Sequence, residues 1–517
     1  MDTHIDSSRA RLHKQAISWF ALNKDSSSLC TLVLIYLQSL HWLEWMKSGV
    51  NLTHFAKLRQ LLSDPVQDDS WNLSFCSLLT ETHRTNNQEY KEIWVPYCEQ
   101  HAQLLQKPIK EVESIQALEE WQELAPFAFF SLYLSEDAIE EGEGSIIAKC
   151  PHLKKLQKLE LYYNYEIDEE DCLALINSPY LINIQQLTFV RSSMGVKACQ
   201  ALANSPKFNN LKTLKINESS ISDQGCQILS DAKHLTKLQA LDLSNCKISA
   251  EGCRTLANSP HLKSLQRLNL SYNMVGLEGC KIIVSSTNFS ELHYLNLGHN
   301  ELDAKACQTI MDARHLTKLQ TLVLSGNKID DEDCRSFVNS LCSFKLSSLD
   351  LSQNRIGAEG CRTLAHSPNF DELQTLSLAR NRIGDKGCQA IASSHNLSNL
   401  QTLDLYCNGI GIEGYQTLAN ASGFSKLQYL QLGDLRNVKL SSWNTNEVSP
   451  EGILALACST TLPEKVREYY VNKLDKESLV RVAKTYHVQS DLDLLSKKEI
   501  ARLIWQAKGI EHPRTVV

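Results

Sequence analysis

The 517-residue sequence predicts an α/β solenoid: a horseshoe of about twelve 27-residue repeats, with a parallel β-sheet on the concave face, short helices on the convex face and helical flanking domains. Leu-x-Leu triplets, cysteines and asparagines that recur with one common period predict it. The spacing of the triplets is 27 residues, except for 28 between Leu159 and Leu187, which predicts twelve strands. The triplets, or close variants of them, begin at Leu132, Leu159, Leu187, Leu214, Leu241, Leu268, Leu295, Leu322, Leu349, Leu376, Leu403 and Leu430.

One unit illustrates the expected strand and turn. Leu265, Leu268 and Leu270 are expected to point inward from a short strand, and Asn273 follows where the chain must turn. An asparagine side chain can satisfy backbone groups that a turn leaves unpaired. The same position is held by Asn164, Asn300, Asn327, Asn354, Asn381 and Asn408.

A short amphipathic segment after each turn predicts a convex helix. In GCRTLA, the residues Cys253, Leu256 and Ala257 have the i, i+3, i+4 spacing of one helix face. Equivalent cysteines recur every 27 residues, which predicts a column of buried free thiols and therefore a reducing compartment. The column comprises Cys172, Cys199, Cys226, Cys253, Cys280, Cys307, Cys334, Cys361 and Cys388.

The helix segments EGCRTLA, at 251–257 and 359–365, and KGCQAIA, at 386–392, resemble known repeats. They resemble the ribonuclease-inhibitor-like class of leucine-rich repeats, and more closely the GALA-type repeats of bacterial effectors, with Cys in place of Ala. The resemblance implies protein binding and an effector that acts inside a host cell. GALA-type effectors carry an F-box before the repeats that recruits a ubiquitin ligase, whereas residues 1–125 lack its Leu-Pro-x-Glu start.

The composition divides the chain into a helical N-terminal domain (1–125), a leucine-rich-repeat domain (126–462) and a small helical C-terminal module (463–517). An uncovered end repeat exposes its hydrophobic face, so residues 1–125 are expected to cap the solenoid, with partner recruitment as the alternative. This domain holds six of the eight tryptophans in stretches with helical periodicity. They are Trp19, Trp42, Trp45, Trp71, Trp94 and Trp121.

Residues 436–448 form an insertion, because the next convex helix starts 11 residues later than the repeat predicts. Trp443 lies in this insertion. An exposed tryptophan on a loop at the strand edge would be a binding anchor. Alternatively, Trp443 folds back and seals the C-terminal end of the solenoid.

The C-terminal module is locally basic, with 11 Lys and Arg against 8 Asp and Glu from Pro463 onward. The segments SLVRVAKTYHV and LSKKEIARLIWQA predict two helices and resemble SAP or Rho-N-terminal modules, which often bind nucleic acid. The resemblance implies phosphate contacts from Lys484, Lys497, Lys498 and Arg502. A plain helical cap is the favoured interpretation, and nucleic-acid association is the alternative.

Other signals exclude several classes of function. The sequence NGIGIEG, from Asn408 to Gly414, matches a dinucleotide-binding pattern, but Gly411 and Gly414 recur in neighbouring repeats, so we interpret it as part of the repeat. We find no catalytic motif, expect no cofactor and no metal site, and predict that the chain is not an enzyme.

The stretch 29–46 contains polar residues, so we expect a buried helix there and no membrane span. The N-terminus lacks a secretory signal, which favours the cytoplasm, or a host cytoplasm after translocation.

The residues that alternate with the inward leucines, and those just after each strand, should face a partner. Tyrosine and arginine are frequent anchors of protein interfaces. The sequence therefore predicts a monomeric scaffold that grips an unidentified protein on its concave face. The alternatives are a ubiquitin-ligase adaptor that acts through residues 1–125 and nucleic-acid association. The candidate contact residues are Tyr162, Tyr163, Arg191, Tyr272, His299, Arg380, Asp404, Tyr406, Tyr429 and Asp434.

Overall fold

The computed structural model divides the chain into two compact units, Met1–Ser131 and Leu132–Val517. Asp434, Trp443 and the stretch 29–46 lie outside the residues that the structure describes. Among the described helices, none is both long and apolar enough to cross a membrane. The described residues are 57–58, 60–61, 69–85, 87–100, 110–135, 142–163, 167–339, 344–433, 450–474, 476–485, 488, 492 and 494–507.

The described part of the first unit is mainly helical, as the sequence predicts. Tyr90 and Trp94 are fully buried, with ring centroids 6.4 Å apart. The Tyr90 hydroxyl donates a hydrogen bond to the Leu124 carbonyl, which joins this aromatic pair to the last helix of the unit. The elements are α1 (Asp69–Thr85), α2 (Asn87–Glu89), a π-helical turn (Tyr90–Trp94), α3 (Val95–Gln100), β1 (Lys110–Val112) and α4 (Ile115–Leu124).

The predicted twelve strands are β2 to β13, and each lies beside its sequence neighbour. The strands β3 to β13 belong to the second unit. From β3 onward the pairing is parallel and places leucine beside leucine, as in Leu349 with Leu376 and Leu376 with Leu403. The prediction of a parallel α/β solenoid is therefore confirmed. The strands are β2 (Phe130–Leu134), β3 (Leu156–Tyr162), β4 (Gln186–Val190), β5 (Thr213–Asn217), β6 (Ala240–Asp242), β7 (Arg267–Asn269), β8 (Tyr294–Asn296), β9 (Thr321–Val323), β10 (Ser348–Asp350), β11 (Thr375–Ser377), β12 (Thr402–Asp404) and β13 (Tyr429–Gln431).

A helix follows each strand and buries one face against the strand layer. Several helices are followed by a 3₁₀ turn, such as Pro206–Phe208, whose phenylalanine is buried. The helices are α5 (Glu143–Ile147), α6 (Glu169–Asn177), α7 (Val196–Asn204), α8 (Ser222–Ser230), α9 (Ala250–Asn258), α10 (Gly276–Ser285), α11 (Ala304–Met311), α12 (Cys334–Asn339), α13 (Ala358–Ala365), α14 (Gly384–Ala392), α15 (Ile412–Ala419), α16 (Pro450–Ala457), α17 (Glu464–Lys473), α18 (Lys476–Thr485) and α19 (Lys497–Ala507).

The cysteine column is buried, and each of its nine thiols is free. The column also explains the glycine that precedes many of these cysteines. A Cβ on Gly279 would lie 3.1 Å from Cys253 Sγ, and one on Gly360 would lie 3.1 Å from Cys334 Sγ. At these two positions the close approach of the preceding helix favours glycine.

Asparagine side chains link neighbouring turns. Asn327 Oδ1 accepts hydrogen bonds from the N–H groups of Asn300 (2.8 Å) and Leu302 (3.1 Å) in the preceding repeat. Its Nδ2 donates to the carbonyls of Leu297 (2.9 Å) and Leu324 (3.1 Å). The predicted role of Asn164 lies outside the described residues. We call the buried column the asparagine ladder, and its members are Asn273, Asn300, Asn327, Asn354, Asn381 and Asn408.

The C-terminal helices pack against the last repeat. Trp505 of α19 is 1% exposed, and its Nε1 donates to the Ala457 carbonyl at 2.7 Å. The Tyr470 hydroxyl of α17 donates to the Leu430 carbonyl of β13 at 2.8 Å. The module therefore covers the apolar end of the solenoid.

We expect Asn327→Ala to lower the free energy of unfolding by about 3 kcal/mol, because buried backbone groups without partners each cost roughly 1–3 kcal/mol. Urea unfolding followed by circular dichroism measures this change. Asn210→Ala is the matched control, since exposed Asn210 only accepts a bond from Lys237 Nζ. The control should change the free energy by less than about 0.5 kcal/mol. Equal effects of the two substitutions would contradict the role of the ladder.

We expect the column thiols to resist alkylation at pH 8 in the folded protein. Burial raises the pKa of Cys199 and Cys253 to about 12, so only roughly one thiol in ten thousand is a reactive thiolate at that pH. The half-buried Cys150 and Cys407 should react first with iodoacetamide, and all should react in urea. Peptide mass spectrometry after a short pulse gives the labelling of each cysteine. Labelling of Cys253 as fast as Cys407 in the folded protein would contradict this packing.

Candidate functional site

The residue before each ladder position has a left-handed backbone. The φ angles of these residues lie between 52° and 68°. This conformation costs residues with a Cβ roughly 1–2 kcal/mol, so something must offset it. It places the next residue inside the turn, where the ladder hydrogen bonds form. We call these positions the left-handed column: Tyr163, Arg191, Glu218, Asn245, Tyr272, His299, Gly326, Gln353, Arg380 and Cys407.

Five candidate residues, Tyr163, Arg191, Tyr272, His299 and Arg380, lie in this column. Their side chains follow one another along the edge where the strands end. The sequence placed them just after the strands but gave no sign of their backbone conformation. Tyr272, His299 and Arg380 each precede a ladder asparagine, so the ladder holds these three positions in register.

The first group of contacts lies at the ends of β3 to β5. The Arg191 guanidinium lies over the Tyr163 ring, 4.9 Å from its centroid. Arg191 Nε also forms an ion pair with Glu218 Oε2 at 2.7 Å. We call Tyr163, Arg191 and Glu218 the first cluster. The ion pair holds the arginine on the tyrosine face and leaves the group without net charge.

Tyr162 lies on β3, one residue before the first cluster. Its ring stacks on Tyr133 with centroids 5.2 Å apart. Burial, aided by the carboxylate of Glu160, raises the pKa of the Tyr162 phenol to about 12. Tyr162 is therefore protonated and partly enclosed, and it offers less free surface than its neighbour Tyr163.

The middle of the surface has two stacked pairs. Tyr272 and His299 lie parallel, with centroids 4.0 Å apart and an interplanar angle of 10°. Arg267 lies over the Tyr294 ring at 4.2 Å. We call Tyr272 and His299 the middle cluster, because Arg267 and Tyr294 lie at the other end of the same two strands. Tyr272 is 54% exposed, so the cluster presents an aromatic face to solvent.

Gly326 leaves the space that the His299 ring occupies. A Cβ at Gly326 would lie 2.2 Å from His299 Cε1. Burial lowers the pKa of the His299 imidazole, and the carboxylate of Asp350 opposes that shift in part. The neutral form of His299 is therefore favoured in this stack.

The third cluster consists of Arg380, Tyr406 and Asp404. Arg380 lies over the Tyr406 ring at 6.0 Å from the centroid. Asp404 Oδ1 accepts a hydrogen bond from the Tyr406 N–H at 2.9 Å, and burial raises the pKa of the Asp404 carboxyl. The carboxylate thus has a structural role in the turn as well as a position on the concave face.

Tyr429, on the last strand, contacts the C-terminal module. Its ring meets Tyr469 of α17 edge to face, with centroids 5.9 Å apart. Its hydroxyl donates to Gln431 Oε1 at 2.8 Å. Tyr429 is 43% exposed, so part of the ring remains open to a partner. Asp434 and Trp443, the remaining candidates, lie outside the described residues.

The structure also adds a contact residue that sequence reasoning missed. Arg267 precedes the first strand leucine and lies over the ring of Tyr294 in the next repeat. The available signal was its register, because Tyr294 and Tyr429 occupy the same position in their repeats. Each of these aromatic and arginine pairs joins residues of two neighbouring repeats, so the sequence of a single repeat does not show it.

The glycine-rich segment near residue 410 has a structural explanation. Gly409 has a φ of 67°, and Lys328 holds the equivalent turn position with a φ of 65°. The N–H groups of Gly411 and Gly414 both donate to Asp385 Oδ1, at 2.8 and 2.9 Å. These donors are used inside the repeat, in agreement with the interpretation of the segment as part of the solenoid.

Two of the predicted phosphate contacts take part in the packing of the C-terminal module. Lys497 Nζ donates to the Leu474 carbonyl at 2.6 Å, which caps the end of α17. Lys498 Nζ lies 3.7 Å from a carboxylate oxygen of Glu468. Lys484 and Arg502 are exposed. The lysines of α19 thus have a role in the cap.

We expect the imidazole of His299 to titrate below the ordinary pKa of about 6.5, because burial favours its neutral form. The contribution of this group to stability is therefore lost as the pH falls below about 6.5. Tyr272→Asn, which suits the left-handed backbone, should raise the pKa of His299 toward 6.5, since the stacked ring excludes water. NMR titration of the histidine ring protons measures the change.

Tyr163→Asn is the control for this titration. It makes the same replacement at an equivalent position in the first cluster, far along the sheet from His299. The His299 midpoint should not move. A midpoint at or above 6.5 in the unmodified protein, or an equal shift in both variants, would contradict the assigned stack.

Comparison with known proteins identifies the repeats. A family model described as "Leucine Rich repeat" matches residues 234–257, 261–283, 315–338, 342–365, 373–392 and 396–419. The crystal structure of an internalin (inlF) from Listeria monocytogenes is 21% identical, with a TM-score of 0.36, and the match covers 64% of this chain and 89% of that one. The crystal structure of the Rad7 and Elc1 complex in yeast is 15% identical, with a TM-score of 0.42, over 85% of this chain and 92% of that one. No curated protein matches. Leucine-rich repeats are therefore present within residues 234–419 of this chain.

Proposed function

We propose that this chain is a scaffold that binds another protein on the concave face of its sheet. Leucine-rich-repeat proteins are typically protein-interaction scaffolds. The observation that carries the proposal is the stacking of exposed aromatic and cationic side chains across neighbouring strands. Tyr272 on His299 is the closest of these pairs.

Stacked side chains suit binding because their rotamers are already restricted. An unrestrained arginine or tyrosine loses conformational freedom when a partner fixes it, roughly 0.5–1.5 kcal/mol for each side chain. Tyr163 with Arg191, and Tyr272 with His299, have lost part of that freedom before any partner arrives. Tyrosine and arginine are also the side chains that most often dominate interface energetics.

The spacing of the three clusters indicates the size of the partner. Their stacked pairs lie on β3–β4, β7–β8 and β11–β12, so successive clusters are four strands apart. At about 4.8 Å between strands, four strands span roughly 19 Å. A partner that contacts all three clusters extends about 40 Å along the sheet, which suits a folded domain or a long helix.

We propose binding without turnover at this surface. Its charged groups are engaged with one another or with the backbone, as in the Arg191–Glu218 pair and the Asp404–Tyr406 bond. Catalytic groups would need to meet a substrate atom instead. A stable complex is the expected result.

Finer features of the proposal rest on the sequence. The GALA-type helix segments support an effector that acts in a host cell, and the buried free thiols support a reducing compartment such as the cytoplasm. A monomer is the expected state. The ligase adaptor through residues 1–125 and nucleic-acid association through Lys484 and Arg502 remain alternatives, each of which requires a second contact surface.

We expect the double variant Tyr272→Asn, Arg380→Asn to lose its protein partner. Asparagine is a suitable replacement because Asn245 occupies the same column with a φ of 53°. Loss of one interface anchor weakens binding by about 30-fold or more. Affinity capture followed by mass spectrometry identifies the partner, and calorimetry with the purified pair measures the dissociation constant.

The control is Arg254→Gln, Lys281→Gln on the convex helices, where both side chains are about half exposed and form only i, i+3 ion pairs in the described structure. The control should keep the partner and the affinity. A partner that both variants retain equally would place the binding surface elsewhere and overturn the proposal.

A further inference from the structure

The asparagine ladder does not extend through the repeats around β4 and β5. The equivalent positions hold Ser192, Ser219 and Cys246, and the next six hold asparagine. Cys246 Sγ partly replaces the missing amide, since it lies 2.9 Å from the Ile216 carbonyl. The two serines are too short to make the same set of contacts.

The hydrogen bonds show the difference. Asn273 bonds to three backbone groups of the preceding repeat, namely the N–H groups of Cys246 and Ile248 and the carbonyl of Leu243. The hydroxyl of Ser219 makes one such bond, to the Ser192 carbonyl at 3.0 Å. The turns at 192 and 219 are therefore less tightly joined than the turns that follow.

A cavity of about 440 Å³ lies between these two turns, lined by Arg191, Ser192, Met194, Glu218, Ser219 and Ser220, among others. Ser192 is 2% exposed, and its hydroxyl has no hydrogen-bond partner among the described residues. A buried hydroxyl without a partner is unfavourable by roughly 1–3 kcal/mol, so a group that bonds to it gains that energy on binding.

Buried polar atoms without partners also occur on the two strands beside the cavity, although only Ser192 among these residues lines it. Seven side-chain atoms of the described residues fall in this class. Three of them, Thr188 Oγ1, Ser192 Oγ and Asn217 Oδ1, belong to β4, β5 and the turn between β4 and α7. In the later repeats the ladder amide supplies both donors and an acceptor at the turn. The missing chemical group at the first two turns is therefore a carboxamide.

We propose that this cavity binds a carboxamide, the side chain of an asparagine or glutamine that a partner protein inserts. This inference rests on the proposed function, because the bound partner protein supplies the carboxamide. A carboxamide has the donors and the acceptor that the asparagine ladder provides elsewhere, and the hydroxyl of Ser192 can bond to either end of it.

The charges at the cavity favour a neutral group over an ion. Arg191 and Glu218 line it together and form an ion pair at 2.7 Å, so neither charge is available to neutralise a buried ligand. A carboxylate or an ammonium group would have to disrupt this ion pair to find a counter-charge at the cavity. The cavity also adjoins the first cluster, so a protein on the concave face can reach it.

The test uses a free probe, N-acetyl-asparagine N′-methylamide, and NMR of the full chain labelled with ¹³C at the methionine methyl groups. The chain has five methionines, and Met194 lines the cavity. We expect a saturable shift of the Met194 signal in the millimolar range and no shift of Met274 or Met311. The N-acetyl-aspartate analogue, which carries a carboxylate of the same shape, should produce no saturable shift.

Ser219→Asn should abolish the Met194 response, because it restores the ladder amide from within, and it should raise the midpoint of thermal unfolding. Cys246→Asn is the matched control, since it restores the next ladder position without lining the cavity, and it should retain the response. Ser192→Ala is a second variant that leaves the cavity open and should weaken probe binding several-fold.

The proposal is overturned if Met194 does not respond to the amide probe, responds equally to the carboxylate, or responds unchanged in both Ser219→Asn and Ser192→Ala. Since the probe is a small molecule, these outcomes are independent of whether the concave face captures a protein. Loss of the partner from Tyr272→Asn, Arg380→Asn with no probe response would retain the scaffold function and reject the carboxamide site.

Discussion

The hydrogen bonds of the asparagine ladder are the constraint on which the rest of this surface depends. Each strand ends in a buried turn, and the backbone groups of that turn need partners. The inward side chain supplies them for its own repeat and for the one before it, as Asn327 does for Asn300 and Leu302. To point inward, it must follow a residue in the left-handed conformation. The left-handed positions that display Tyr272, His299 and Arg380 are therefore a consequence of the ladder.

The convex helices pack closely against one another and therefore require small side chains at their contacts. Several helices lie against the cysteine sulfur of the previous helix, as at Gly279 and Gly360, where a Cβ would lie 3.1 Å from that sulfur. Carboxylates complete the contact, as Asp223 Oδ1 accepts from the N–H groups of Ser249 (2.8 Å) and Gly252 (3.0 Å) in the next repeat. The contacts between convex helices use small groups, and the contacts on the concave side use bulky, stacked side chains. Both sets of contacts recur with the 27-residue repeat.

The parallel sheet, the convex helices and the cysteine column could be predicted from the sequence, because each depends on residues that recur with a visible period. The contacts of the candidate site could not, because they depend on pairs of different residues in adjacent repeats, such as Tyr272 with His299. A left-handed φ has no sequence signal when tyrosine, arginine and glutamate all adopt it. Arg267 was missed for a related reason, since its contact with Tyr294 joins two adjacent repeats.

The direction of the ladder has a consequence for how the chain is made. The N–H groups of Asn300 and Leu302 are satisfied by Asn327, which lies 27 and 25 residues later in the sequence. During synthesis, a turn therefore stays incomplete until the following repeat has left the ribosome. The hydrogen bonds of each ladder turn can form only after the next repeat has been synthesised. The C-terminal module follows the last repeat, and its Tyr470 bonds to the last strand.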